Sequence, residues 1–257
     1  MSDRNSDFYI IAEEVGAENP AIPTWASDSG NPAILATDSE SSVTRREIST
    51  VPGCFQLLNV LSPVECKSLV NLTESLGYLE DAAVSLPRSI RHNHNITWIA
   101  DDATNEIVWQ RCKPLMSDPN QIFAGKKALG LNSRFRFYRY QPGDYFSPHS
   151  DGAWPGTRVV DGQLVHDAYG DRLSQLSFLL FLSDDYVGGA TQFYVNKDDP
   201  AKPARTNEEV SVVNIRTPLG GALCFPHGTH PLHCLHSSET IVTGSKYIIR
   251  SDVLFER

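Results

Sequence analysis

Histidine and aspartate stand at a metal-binding spacing in the second half of the chain. Pro148-His149-Ser150-Asp151 places an imidazole and a carboxylate two residues apart at the start of a strand-like segment. Residues i and i+2 of an extended backbone share a face, so the two side chains can converge on one ion. A third ligand from a distant strand would complete a two-histidine, one-carboxylate triad. Such a triad leaves three coordination positions open and suits non-haem Fe(II) chemistry with oxygen.

The C-terminal segment offers the third ligand and a cation. Four of the eight histidines crowd into one stretch, at His227, His230, His233 and His236. His236 precedes Lys246 by ten residues, and Lys246 shares one face of the final predicted strand with Arg250. An unpaired buried charge is costly, so a cation pointing into a barrel needs an anionic partner such as a ligand carboxylate. We expect His236 as the third ligand, with His233 as the alternative.

Two helices are predicted ahead of these residues. Ser62-Pro63-Val64-Glu65 is a capping box with proline at the first helical position, and the apolar stripe that follows ends at Gly77. A second helix is predicted from near Asp102, with Pro114 disturbing its end. These helices would pack on one side of the strands that follow.

After Gly130 the sequence consists of short strand-like runs separated by glycine and proline turns. In Arg134–Tyr140, phenylalanines alternate with arginines and tyrosines, as in a half-buried strand, whereas Leu173–Ser183 and Gly221–Phe225 are continuously apolar, like inner strands. Lys246–Phe255 reads as the last strand. The pattern predicts a mainly β fold with flanking helices, a sandwich or barrel.

Composition limits the partners and the location. The formal net charge is −9, with 22 basic and 31 acidic residues, and residues 1–47 contain nine of the acidic residues and three arginines. We expect residues 1–47 to form an acidic, mobile or loosely docked arm and residues 48–257 to form one domain. No basic cluster indicates a nucleic-acid partner, and no apolar run or signal pattern indicates a membrane. Five scattered cysteines suit reduced thiols, so a cytoplasmic location is expected.

Four ordered motifs resemble the iron(II)- and 2-oxoglutarate-dependent oxygenases, and the prolyl 4-hydroxylase branch most. They are Tyr140-x-Pro-Gly-x-Tyr-Phe-x-Pro-His149-x-Asp151, then Leu176–Ser183 with Gly188-Gly189-Ala-Thr191-x-Phe193, then Gly221–Phe225, and the stretch from His236 to Arg250. With Val51-Pro-Gly-Cys-Phe55 upstream, the similarity extends over residues 51–257.

The resemblance implies a double-stranded β-helix, or jelly roll, with Fe(II) held by His149, Asp151 and His236. It implies that the far carboxylate of 2-oxoglutarate meets Lys246, with Arg250 as the competing anchor, and that O2 binds at the remaining position. The expected activity is hydroxylation of an unactivated C–H bond, with succinate and carbon dioxide as coproducts and ascorbate as a plausible reductant. Tyr138 and Tyr140 are expected to line the cavity and to contact 2-oxoglutarate.

The prime substrate is harder to predict, and a prolyl or other peptide and a small molecule remain open. Substrate contacts are expected from Trp154 and Arg158, in a glycine-rich segment that folds either as a lid or as a solvated hairpin, and from Arg91 or Asn93 in a polar loop. Two other functions stay open. One is a non-catalytic or zinc-binding jelly-roll module, and the other is metal-dependent hydrolysis.

Overall fold

The computed structural model describes residues 7–37, 42–83, 86–116 and 122–257. The two α-helices of this part are α1 (Pro63–Leu76) and α2 (Asp102–Cys112). Its first strands are β1 (Phe8–Glu14), β2 (Ile22–Ser27), β3 (Thr44–Glu47), β4 (Phe55–Leu58), β5 (Arg91–His92), β6 (His94–Ile99), β7 (Ala128–Leu131), β8 (Arg134–Tyr140), β9 (Tyr145–His149) and β10 (Arg158–Val160). The others are β11 (Gln163–Val165), β12 (Arg172–Phe181), β13 (Val187–Gly188), β14 (Thr191–Asn196), β15 (Val210–Ile215), β16 (Ala222–Pro226), β17 (His236–Ser238), β18 (Ile241–Thr243) and β19 (Lys246–Glu256).

Two sheets dominate the described part of the chain. The larger has ten strands in the order β1-β2-β6-β8-β19-β12-β16-β4-β3, with β7 attached to β19. The smaller has five strands in the order β15-β14-β17-β9-β5. Strands distant in sequence are neighbours in both sheets, as in a jelly roll. The mainly β architecture predicted from the sequence is confirmed.

The two helices begin where the sequence predicts. The Ser62 side chain accepts the Glu65 N–H while the Glu65 carboxylate accepts the Ser62 N–H, so the capping box is complete and α1 ends at the cap residue Gly77. The Asp101 side chain caps α2 by accepting the Thr104 N–H. Neither helix is long and apolar enough to cross a membrane, among the residues that the structure describes.

The core has two parts, which strand β8 separates. Phe135 and Phe137 lie in one cluster with Trp98 and with apolar residues of α1 and α2. Tyr138 and Tyr140 point to the opposite face and lie in a second cluster between the two sheets. The sequence predicts a half-buried strand here, but both faces are buried because the smaller sheet covers the face that carries the tyrosines. The candidate site lies in this second cluster.

Residues 7–37 are not separate from the rest of the fold. Strand β2 pairs in parallel with β6, and the Phe8 ring packs edge-on against Trp98 with ring centroids 5.5 Å apart. The expected loosely docked arm is thus a pair of additional strands at the edge of the larger sheet. The alternating burial of Ile22, Thr24 and Ala26 accounts for this, since it gives β2 one face for the core.

Candidate metal centre and its cavity

Strand pairing brings the three predicted metal ligands together. Strands β9 and β17 are antiparallel neighbours, and His236 is the direct cross-strand partner of His149. Asp151 follows two residues after His149, just beyond the end of β9. One ligand atom from each of the three side chains lies within 4.8 Å of the others. Two remote stretches of the sequence therefore meet at one point.

The imidazoles present their Nε2 atoms to this point. The Nδ1 of His149 donates a hydrogen bond of 2.8 Å to the carbonyl of Ser147, and the Nδ1 of His236 makes a longer one, of 3.4 Å, to the carbonyl of Cys234. The two Nε2 atoms lie 3.9 and 3.6 Å from the Asp151 carboxylate oxygens. Ligands about 2.1 Å from a metal ion are separated by about 3 Å at right angles, so a small contraction would close the site.

The protonation states of the three side chains favour metal binding. Burial and the neighbouring His236 lower the pKa of His149 to about 3, and burial also lowers the pKa of His236. Burial would raise the pKa of Asp151, but Arg250 and the imidazoles outweigh it and hold this pKa well below its usual range. At neutral pH the site therefore offers two neutral imidazoles and one carboxylate, the forms that bind metals.

A chain of hydrogen bonds behind Asp151 was not predicted. Ser177 Oγ donates to Asp151 Oδ2 at 2.6 Å and lies 2.8 Å from His227 Nδ1. The other ring nitrogen of His227 lies 2.9 Å from Ser174 Oγ, which accepts the backbone N–H of Trp154. Since the Ser177 proton goes to Asp151, His227 Nδ1 must donate to Ser177. Partners of this kind orient a metal ligand and fix its basicity.

Arg250 is neutralised by carboxylates of the chain itself. It lies on β19, and its guanidinium is 3.4 Å from Asp151 Oδ1 and 3.0 Å from Asp252 Oδ1. Burial alone would lower the pKa of Arg250, but the two carboxylates raise it above its usual value. Asp252 is the cross-strand partner of Ser177, so it belongs to the same buried polar group as the candidate ligands.

Lys246, at the start of the same strand, is not neutralised in this way. It is 1% exposed, and its Nζ donates to the Gly189 carbonyl at 2.8 Å and to Ser238 Oγ at 2.9 Å. No carboxylate of the described residues lies within ion-pair distance of Nζ. Burial lowers the pKa of Lys246 to about 7. Gly189 has a φ of +67°, and a Cβ there would lie 2.3 Å from Ile241, so a larger residue would displace this acceptor.

One cavity joins these groups. The three candidate ligands line it, together with Lys246 and Arg250. Aromatic, aliphatic and hydroxyl side chains also line it, among them those of Tyr138, Tyr140, Phe146, Leu179, Thr191 and Ser238. The structure thus brings seven of the predicted site residues to one cavity: His149, Asp151, His236, Lys246, Arg250, Tyr138 and Tyr140.

Trp154 and Arg158 lie outside this cavity. The glycine-rich segment that carries them contains the small antiparallel hairpin β10–β11. Arg158 pairs with Asp102 at the start of α2, and its guanidinium lies 5.6 Å from the Tyr169 ring. The Trp154 ring is 40% exposed and covers Arg136 instead. Trp154 therefore lies against a buried arginine of β8.

Arg91 and Asn93 lie behind the cavity wall. The Arg91 guanidinium is 5.9 Å from the ring of Phe146, and Asn93 is fully buried. The predicted polar loop is strand β5 and the start of β6, and its His92 and His94 face Asp144. The alternative third ligand His233 bonds through Nδ1 to the carbonyl of His230 and is outside the cluster.

Comparisons with known proteins support the fold. No protein-family model matches the chain, and no curated protein matches it. A prolyl-4-hydroxylase from Pseudomonas putida is similar in structure, with a TM-score of 0.50 and 15% identity over 80% of this chain and 94% of that one. Two others have lower TM-scores. They are a viral collagen prolyl hydroxylase from Paramecium Bursaria Chlorella virus-1 in complex with 2OG (0.47, 16% identity, 82% and 100% of the chains) and a Trichoplax adhaerens prolyl hydroxylase in complex with a hypoxia inducible factor peptide fragment (0.49, 14%, 79% and 84%).

At 15% identity, the likeness to the Pseudomonas putida enzyme shows the fold alone. The chain has the jelly-roll fold of this group of structures, as the sequence resemblance implied. Within that fold the described residues place two histidines, a carboxylate and a buried cation around one cavity.

Proposed function

We propose that this protein is an Fe(II)- and 2-oxoglutarate-dependent dioxygenase that hydroxylates an unactivated C–H bond. The observation that carries the proposal is the composition of one cavity. Its lining includes a cluster of two histidines and one carboxylate. The same cavity is also lined by a buried lysine that has no carboxylate partner among the described residues. The fold shared with a prolyl-4-hydroxylase agrees with it.

The three candidate ligands fit a ferrous ion. His149 and His236 supply neutral Nε2 donors and Asp151 supplies one charge, the donor set of non-haem Fe(II) oxygenases with open coordination positions. The Nδ1 hydrogen bonds hold the imidazole planes, and Ser177 holds the carboxylate. Because Asp151 supplies the carboxylate ligand, its position is not vacant for a halide, which argues against a halogenase.

When bound, iron(II) with 2-oxoglutarate and O2 supplies the oxidising power, and succinate and carbon dioxide are the coproducts. The chain's own residues bind and orient. In the protonated form Lys246 would pair with the far carboxylate of 2-oxoglutarate, and the hydroxyls of Tyr138 and Tyr140, which line the same cavity, would donate to the same molecule. Phe146 and Leu179 keep water from the bound cosubstrate.

Lys246 suits this role better than Arg250. The guanidinium of Arg250 already has two carboxylate partners, Asp151 and Asp252, whereas the Lys246 ammonium has two neutral oxygen acceptors and a third proton to donate. A ligand carboxylate beside Lys246 would offset the cost of burying that charge.

The test is iron-dependent release of succinate from 2-oxoglutarate under air, with and without ascorbate, over prolyl peptides, other peptides and small molecules. We expect turnover in the wild type and its loss in His149→Ala, with His233→Ala as the matched control that retains it. Metal binding without any turnover of 2-oxoglutarate would favour the zinc-binding or non-catalytic module. Product formation that persists without oxygen would favour hydrolysis.

A further inference from the structure

Arg136 is a further buried cation, in addition to Lys246 and Arg250, and the proposed chemistry does not use it. It lies on β8, directly opposite Arg250 of β19, and it is 7% exposed. Its Nε atom is buried without a hydrogen-bond partner. In the described part of the chain no carboxylate lies within ion-pair distance of its guanidinium.

The acidic groups around Arg136 are already engaged. Glu14 accepts a hydrogen bond of 2.6 Å from Arg134, the neighbouring arginine on the same face of β8. Asp252 and Asp151 are paired with Arg250. Burial, and next the charge of Arg250, lower the pKa of Arg136 to about 10, so the side chain stays charged at neutral pH. One positive charge is therefore left over.

This charge faces a second cavity. It is lined by Glu14, Arg134, Arg136, Trp154, Thr157 and His166, among others, and the Glu14 carboxylate in its wall is paired with Arg134. The Trp154 ring lies 5.3 Å from the Arg136 guanidinium and, being 40% exposed, forms the outer wall. A guanidinium beneath an indole offers a planar anion both a two-pronged donor and an apolar surface.

The second cavity adjoins the candidate metal centre. Arg250 lines the cavity of the metal ligands and Arg136 lines the second one, and the two residues are cross-strand partners, whose Cβ atoms are typically about 5 Å apart. A molecule held at Arg136 would therefore lie one strand away from Arg250, which contacts the candidate ligand Asp151. The two cavities together provide one place for the cosubstrate and another for the molecule to be oxidised.

We propose that Arg136, with Trp154 beside it, binds a carboxylate of the prime substrate and so selects acidic substrates for the reaction. This inference rests on the proposed function, because it assigns the substrate class of the same site. A carboxylate fits better than a phosphate group, since a single uncommitted guanidinium matches one negative charge and the neighbouring Arg134 is paired with Glu14. The carboxylate belongs to a free amino acid or small acid, or to an acidic residue of a peptide.

Calorimetric titrations without oxygen, in the presence of Mn(II) and saturating 2-oxoglutarate, test the subsite independently of turnover. The probes are N-acetyl amino acids, each as the free acid and as the primary amide, and C-amidated tripeptides with a central Glu or Gln. We expect the acid of at least one pair to bind tenfold or more tightly than its neutral counterpart. The amino-acid pairs report a small acid, and the Glu and Gln peptides report a side-chain carboxylate.

Three variants locate the effect. Arg136→Gln should abolish the preference for the acid, and Arg136→Lys, which keeps the charge but not the two-pronged donor, should retain part of it. Arg139→Gln is the matched control, because Arg139 lies on the same strand but faces outwards to Glu74. It should keep the full preference. Circular dichroism verifies that each variant is folded. If Arg136→Gln does not fold, a reduced preference for the acid in Arg136→Lys tests the subsite in its place.

The outcomes separate this inference from the function on which it rests. Equal binding of acids and amides by the wild type, no binding by any probe, or a preference that is undiminished in Arg136→Gln or in Arg136→Lys would overturn the subsite. If succinate release is observed without such a preference, the dioxygenase function stands and the subsite fails. Acid-selective binding that depends on Arg136, in a protein without 2-oxoglutarate turnover, would keep the subsite and reject the function.

Discussion

Strand β19 carries a buried cation near each end of the candidate site, and the two have opposite surroundings. Arg250 lies between Asp151 and Asp252 and is neutralised within the chain. Lys246, four residues earlier on the same face, has a carbonyl and a hydroxyl as its only acceptors in the described structure. The first arrangement needs no ligand, whereas the second is incomplete without an anion.

This difference assigns separate roles to two residues that the sequence could not distinguish. Arg250 holds Asp151 in its ionised form and in place, so it supports the candidate metal ligands. Lys246 is kept uncompensated at a cost in folding free energy, as is common for groups that a ligand will pair. Arg136 resembles Lys246 in this respect, and both face a cavity.

The largest effect is expected when the compensated cation is removed. Arg250→Met would leave Asp151 and Asp252 buried without their partner, and breaking a buried ion pair typically costs about 3–5 kcal/mol. Urea unfolding of the metal-free protein at pH 7 measures this. Arg139→Met removes a partly exposed pair with Glu74 and should cost less, about 1 kcal/mol. Equal losses in the two variants would show that Arg250 is not the stabilising partner of the two carboxylates.

Removal of the uncompensated cation should affect the ligand instead of the fold. Lys246→Met is expected to raise the KM for 2-oxoglutarate on the order of 100-fold, because a charged hydrogen bond is lost, while the variant is at least as stable as the wild type. Steady-state kinetics with 2-oxoglutarate as the varied substrate and urea unfolding provide the two readouts. A rise in KM for a folded Arg250→Met but not for Lys246→Met would reverse the two roles.

Most of the fold and the candidate ligands could be predicted because their signals are local. A capping box marks the start of α1, and His149 and Asp151 stand two residues apart on extended backbone. The spacing of His236 to Lys246 and the family resemblance both indicated His236 as a ligand, but its place opposite His149 is not a local signal, since the pairing of β9 with β17 joins segments about 85 residues apart.

Contacts that depend on register could not be predicted. Ser177 reaches Asp151, and Asp252 reaches Arg250, only because β12 pairs with β19 in the observed register. Burial of Arg136 follows from the face on which the second sheet packs, which alternation alone does not show. The edge strands formed by residues before 28 were likewise missed, because the polar composition of residues 1–47 as a whole obscured the alternation of β2.

Ser177 allows a test of the contacts that hold Asp151, the carboxylate that is paired with Arg250. Ser177→Ala removes the hydrogen bond to Asp151 and leaves His227 without that partner, and loss of such a contact typically weakens metal binding about 10- to 100-fold. Competition for Mn(II) against a chelating dye gives the affinity. Ser251→Ala, which removes a buried hydroxyl bonded to the Asn132 carbonyl, is the control and should bind Mn(II) normally. Unchanged affinity in Ser177→Ala would assign the Ser177 hydroxyl to packing alone.

The last expected effect, small for each step in pH, is a pH dependence that only the uncompensated cation should show. Burial lowers the pKa of Lys246 from 10.5 to about 7, and a bound carboxylate would raise it again. Above pH 7 the free protein must then take up a proton to bind 2-oxoglutarate, so the apparent affinity should fall by up to about tenfold per pH unit. Below pH 7 the ammonium is already formed, and the affinity should level off.

Binding of 2-oxoglutarate measured from pH 6 to 9 at saturating Mn(II) tests this, with Lys246→Met as the weak, pH-independent reference. The lowered pKa of Lys246 also predicts how the stability of the ligand-free protein depends on pH. Because the unfolded chain holds the Lys246 proton up to its ordinary pKa, the ligand-free protein should gain stability from this residue as the pH rises from 7 towards 10.5, and Lys246→Met should lose that gain. A flat affinity profile in the wild type would mean that Arg250, which stays charged throughout, is the anchor of the cosubstrate.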